Sequence, residues 1–153
     1  TVGTHILSAW PTLVELIGVI VIAGILATVA APRFFSASTF ASRGYADAAA
    51  AFLRYAQKLA IARHGGVSVV VSSDGLTLCR VASASCAEAD LMSGPDGSTP
   101  YRAVVPNGVS QSADVASLSF DAQGRPDHAL TLTITGDQTR TLIVEAETGY
   151  VHD

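Results

Sequence analysis

From Leu16 to Ala31 sixteen consecutive residues carry no charge. They lie in PTLVELIGVIVIAGILATVAAPRFF, Pro11 to Phe35, a stretch that is almost entirely apolar. A helix over the 22 residues from Pro11 to Pro32 would be about 33 Å long at about 1.5 Å per residue. A bilayer core of about 30 Å needs about 20 such residues. A chain of 153 residues has no globular interior that long, so lipid is the expected surroundings. A secretory signal has a shorter apolar core, a basic start and a small-residue cleavage site; here Pro32 follows Ala30-Ala31 at once. Glu15 is the exception inside the run. A carboxylate in lipid costs up to about 2.5–3.5 kcal/mol at the bilayer centre, and no basic side chain lies within a turn or two of Glu15. Its counter-charge is therefore expected outside its own helix, on another copy of the chain or at a new amino terminus.

Beyond Pro32, which should bend or loosen the helix, the pattern becomes amphipathic. Phe40, Gly44, Ala48, Phe52, Tyr55, Leu59 and Ala62 recur at steps of three and four, which predicts one packed helical face. His64-Gly65-Gly66 reads as its stop. The period then changes to two. Val67–Ser72 and Leu76–Arg80 read as strands around the Asp74-Gly75 turn. Residues 82–100, rich in Ala, Ser, Gly, Asp and Pro, read as a loop, and Tyr101–Val105 as a short strand ended by Pro106-Asn107-Gly108. SLSFDAQGRP gives a strand and a turn, with a local Asp121–Arg125 ion pair worth roughly 0–1 kcal/mol. Two further strands flank Gly136-Asp137, with Leu130, Leu132 and Ile134 on one face and Thr131, Thr133 and Thr135 on the other. Thr148-Gly149 makes a last turn. The fold class is α+β: a long N-terminal helix, half of it for the membrane and half amphipathic, on an antiparallel β-sheet head. The expected segments are 1–10, 11–32, 33–64 and 65–153.

Charge is segregated along the chain. From Arg33 to His64 there are five basic residues and one acid; from Gly65 to Asp153 there are four basic residues and eleven acids. An acidic head argues against nucleic acid as a partner. Cys79 and Cys86 have no histidine pair at zinc-ligand spacing. They are either two thiols or a disulfide closing a short loop, and the disulfide requires an oxidising compartment. His5, His64, His128 and His152 stand in no catalytic motif, and no GxSxG or phosphate-loop pattern occurs. No enzyme activity, metal or cofactor is expected.

TLVELIGVIVIAGILATVAAP resembles the N-terminal segment of type IV pilins and of the pseudopilins of type II secretion. The resemblance implies a leader cut by a prepilin peptidase and N-methylation of the new first residue. It also implies a glutamate at the fifth mature position that meets the amine of a neighbouring subunit. On this chain residues 1–10 take the leader's place, cleavage falls between Trp10 and Pro11, and Glu15 is the assembly residue. Two positions depart from the pattern: Trp10 stands where the family has Gly, and Pro11 where it usually has Phe. TVGTHILSAW also holds no Lys or Arg, and positive charge follows the apolar run, against the positive-inside rule. An unprocessed family member and a misplaced gene start both account for this. FDAQGRP and VEAETGYVH resemble C-terminal segments of minor pilins of the mannose-sensitive haemagglutinin pilus group, and of a minor pseudopilin.

The resemblance implies a minor pilin or pseudopilin, held in the bacterial inner membrane by one span with a periplasmic head, and assembling with other such subunits into a pilus or pseudopilus. Two alternatives stay open. One is a pilus-displayed adhesin that binds through the loop at 82–100. The other is a single-pass anchored periplasmic domain that never polymerises.

Overall fold

The computed structural model describes residues 12–81, 83 and 85–153; within helix α1 the side chains of 29–39 lie outside the description. Trp10 and Pro11, the expected processing site, therefore fall outside it. Helix α1 spans Leu13–Arg63. Its assignment runs through Pro32, whose side chain and expected kink belong to the undescribed stretch. The chain divides into two units, Thr1–Ser36 and Ala37–Asp153, each described here by itself.

The second unit is the head together with the part of α1 that packs on it. Eight strands form two antiparallel sheets rather than the single one expected. In the first, β1 (Val67–Ser72), β2 (Gly75–Cys79), β3 (Arg102–Val104) and β5 (Ser117–Phe120) lie in the order β3-β2-β1-β5. In the second, β4 (Ser110–Ala113), β6 (Leu130–Thr135), β7 (Thr139–Val144) and β8 (Val151–His152) lie in the order β4-β6-β7-β8. The β6–β7 hairpin pairs Leu130 with Val144 through to Thr135 with Thr139. Its leucines and Ile134 are buried, and Thr131 and Thr133 are half-exposed, as alternation requires.

The helix ends where His64-Gly65 indicates. His64 takes a left-handed φ of 50°. Gly65 N–H donates to Ala60 O at 3.2 Å and His64 N–H to Ile61 O at 3.2 Å, the paired bonds of a Schellman stop. The packed face differs from the expectation by one residue. Ala49, Leu53, Ala56 and Ala60 are fully buried, each the residue after an expected one, which turns the face by about 100°. Phe52 is buried, but Phe40 is 75% exposed and Gly44, Ala48 and Ala62 are on the surface. Alanine fits either side of such a helix at little cost, so the aromatic spacing misplaces the seam. The small side chains bring α1 close to Leu118, Leu132 and Ile134 of the two sheets.

β4 has almost no apolar signature. Ser-Gln-Ser-Ala is held instead by Gln111, which is 8% exposed. Tyr45 Oη on α1 donates to Gln111 Oε1 at 2.6 Å, and the Gln111 amide donates to Ser72 O of β1. One side chain thus ties the helix to both sheets. Burial pushes the Tyr45 phenol up to about 12, against about 10 in the unfolded chain. A raised phenol pKa contributes stability that is complete below pH 10 and is lost as pH rises through 10 to 12. The expected loss is about 2–3 kcal/mol. Urea midpoints of wild type and Tyr45→Phe measured from pH 8 to 12 should converge and then cross near the top of that window, with the variant about 1–2 kcal/mol weaker at pH 8 because Gln111 loses its donor.

Candidate functional site

Among the described residues of the first unit, the large apolar side chains of the helix are exposed. Thr12 caps the helix: Thr12 Oγ1 accepts from Glu15 N–H at 3.2 Å, and Thr12 O accepts from Leu16 N–H at 3.1 Å. Thr12-x-x-Glu15 is capping-box spacing, a signal already present in the sequence. An acid at this position also complements the helix dipole. The Glu15 carboxylate makes no hydrogen bond or ion pair among the described residues.

Past Glu15 the helix is apolar all round. Leu16, Val19, Ile20, Val21, Ile22, Ile25 and Leu26 are each more than half exposed, as are Leu13 and Val14 before Glu15. Thr28 satisfies its hydroxyl inside the helix, donating to Ile25 O at 2.8 Å. A helix apolar on every side is stable only when buried by something else, either other helices or lipid. Among the described residues no helix is long and apolar enough to cross a membrane. The uncharged run read from the sequence continues to Ala31, past the described side chains.

The head holds its C-terminal turns against α1. Gln57 Nε2 donates to Gly124 O at 2.9 Å and to Thr148 O at 2.9 Å. Arg54 Nη2 donates to Val151 O at 3.0 Å. FDAQGRP and VEAETGYVH, the two segments that carry the C-terminal likeness, therefore meet at one amide. Gly149 sits at φ 68°, and a side chain there would stand 2.5 Å from Gln57 Nε2 and 2.7 Å from Gly124 O. The expected Asp121–Arg125 ion pair is absent among the described residues. Asp121 Oδ1 instead accepts from the N–H groups of Gln123 and Arg125, at 2.9 and 2.8 Å. Backbone donors inside a tight turn are nearer than a mobile guanidinium.

Cys79 and Cys86 are joined in a disulfide, with their Cα atoms 5.9 Å apart. The segment after them is more ordered than a free loop. It makes a 3-10 turn at Glu88–Asp90 and a bridge between Leu91 and Cys79, and it buries Met92. Tyr101 stacks on Phe52 at 4.8 Å and meets Tyr55 edge-on at 5.3 Å. Gly94 lies so close under the Tyr101 ring that a β-carbon would come within 2.2 Å of it. Asp96 accepts from the hydroxyl and N–H of Ser98 at 2.7 and 3.1 Å, which holds its carboxyl below the usual range. No cluster of metal-ligating side chains occurs among the described residues.

No curated protein matches the chain by sequence. Among solved structures, the type IV minor pilin FimU of Pseudomonas aeruginosa is similar in two crystal forms. One has a TM-score of 0.57 at 19% identity, covering 72% of this chain and 85% of that one. The other has a TM-score of 0.55 at 20% identity, covering 72% and 90%. At that identity the likeness concerns the fold, a pilin-like helix on antiparallel sheets. The family profile for the type II transport protein GspH matches residues 45–149, which run from the Tyr45 that ties α1 to β4 to the Gly149 packed on Gln57. Over well more than half its length, then, this chain carries the head of the GspH pseudopilin family, to which it belongs.

Proposed function

We propose that the chain is a minor pilin or pseudopilin subunit that anchors in the bacterial inner membrane and enters a filament through its N-terminal helix. The observation that carries this is the run of apolar side chains exposed around the helix after Glu15, a surface that needs lipid before assembly and neighbouring helices after it. Glu15 then supplies a charge that specifies register when it meets a neighbour's amine in low dielectric. In this reading residues 1–10 stand as a leader-like segment, 11–32 as the membrane and assembly half of the helix, 33–64 as its amphipathic half, and 65–153 as a periplasmic head. The disulfide fits an oxidising compartment. Members of the GspH family and the similar minor pilin are structural proteins without catalytic activity.

The GspH match favours a type II secretion pseudopilus as the filament. The likeness to a type IV minor pilin, with the FDAQGRP and VEAETGYVH segments, favours a pilus of the mannose-sensitive haemagglutinin group as the second reading. The adhesin alternative is less well supported, because residues 88–101 pack on the head through Met92 and Tyr101. The test is to shear filaments of both kinds from the producing cells and identify their subunits by mass. The chain should be present in one of them, and its absence from both refutes the proposal. The same spectrum reports whether the mature chain starts at Pro11, methylated, as a prepilin peptidase acting after Trp10 would leave it.

A further inference from the structure

The outward side of α1 within the second unit differs from the head that its other side covers. Phe40, Arg43, Gly44, Asp47, Ala51, Arg54 and Lys58 are all exposed and follow one another at steps of one to four along a single strip. The strip runs about 27 Å along the helix axis. It carries three cations and a single acid, with small residues between them. Arg43 and Lys58 make no hydrogen bond or ion pair among the described residues, whereas Arg54 uses one nitrogen on Val151 O. Residues 65–153 hold eleven carboxylates against four arginines, and one of those arginines, Arg140, is already paired with Asp153. Arg54 thus bends back onto the head, beside Asp153, whereas Arg43 and Lys58 meet no carboxylate of their own chain among the described residues.

We infer that this strip is a docking surface for the acidic head of a second copy of the chain. The inference rests on the assembly reading above and names the partner surface for it. Charge complementarity selects the occupant: the head is strongly acidic, and opposite potentials across an interface set specificity and register. Gly44, Ala48 and Ala51 let the partner approach closely, which matters because charges more than about 8–10 Å apart are screened at ordinary ionic strength. The strip and the head are different surfaces of one chain. Each copy therefore offers both a basic and an acidic surface to its neighbours.

Lys58 is the sole lysine of the chain, and this makes the contact directly readable. Full-length protein in detergent micelles, mixed equally from light and nitrogen-15-labelled stocks, is treated with a zero-length carbodiimide that couples amines to touching carboxylates. The expected product is a mixed-isotope peptide joining Lys58 to a carboxylate within 65–153. Its yield should fall at least about fivefold in 0.5 M NaCl and in Arg43→Glu, an exposed substitution that leaves the fold intact. Links confined to single-isotope peptides, links to Glu15 or Asp47, no link at all, or a yield indifferent to salt would each overturn the inference. So would capture of the protein on phosphatidylglycerol vesicles through Lys58 and Arg43 in place of the link. Glu15→Leu separates this from the filament reading. The Lys58 link should survive in that variant, so loss of the link while filament entry still depends on Glu15 sinks the docking strip alone. A link that persists while the wild-type chain is absent from both kinds of sheared filament sinks the filament reading alone.

Discussion

Glu15→Leu should leave the protein in the membrane fraction and lower its incorporation into sheared filaments at least about tenfold. The side chain adds no span to the helix and makes no hydrogen bond or ion pair among the described residues. A leucine there makes the apolar surface more continuous, so anchoring should hold or improve. What the proposed assembly would lose is an ion pair in low dielectric between one subunit and the next, where an unmatched partner charge is costly. The local role in the helix start is separable. Thr12 keeps its bond to the residue-15 N–H whatever the side chain, and the dipole contribution lost is only about 0.3–1 kcal/mol. Glu15→Gln, which keeps shape and polarity but not charge, should fail nearly as badly as leucine. Quantitative immunoblots of membrane and sheared-filament fractions decide the matter, and normal incorporation of either variant would remove Glu15 from assembly.

Gly75→Ala should destabilise the head by at least about 3 kcal/mol. Gly75 opens β2 at φ 144°, a conformation that side-chain-bearing residues avoid at a cost of roughly 1–3 kcal/mol. The space is also taken. A β-carbon there would stand 2.0 Å from Ala103 O, in the backbone of β3, and a neighbouring strand cannot yield as a flexible side chain can. Overpacking adds roughly 1–3 kcal/mol. For a unit of this size the melting temperature should drop by about 10 °C or more. Gly97→Ala is the control: its φ of 81° is also unfavourable, but nothing lies within 4 Å of the added carbon, so its cost should stay near 1 kcal/mol. Thermal melts of full-length protein followed by near-ultraviolet circular dichroism compare the two. Equal losses would show that β3 moves aside freely.

The parts of this fold legible in the sequence are those where one local pattern dominates. The β6–β7 hairpin announces itself by leucine and threonine in strict alternation. The helix stop is written in His64-Gly65, and Asp74-Gly75 marks the β1–β2 turn. β4 was not legible, because Ser110–Ala113 owes its place to a buried glutamine whose partners, Tyr45 and Ser72, lie far away in sequence. The division into two sheets was hidden for a related reason: β5 leaves β4 to pair with β1, a long-range choice that no short window records. The packed face of α1 lies one step from the one the aromatic spacing predicts, because alanine signals helix without saying which side is buried. At the candidate site, Glu15 stood out as a lone acid in an apolar run. Thr12 carries a capping signal in the same four residues.

Gln57 gives the far end of the chain an unexpected importance. A single amide grips two turns that are remote from each other along the sequence, so neither can be lengthened, spliced or fused to a reporter without loosening the other. A fluorescent or affinity tag inserted near Thr148 would unlatch FDAQGRP as well, whereas the turn at Gly97, where an added β-carbon would meet nothing within 4 Å, should accept one and leave both closed.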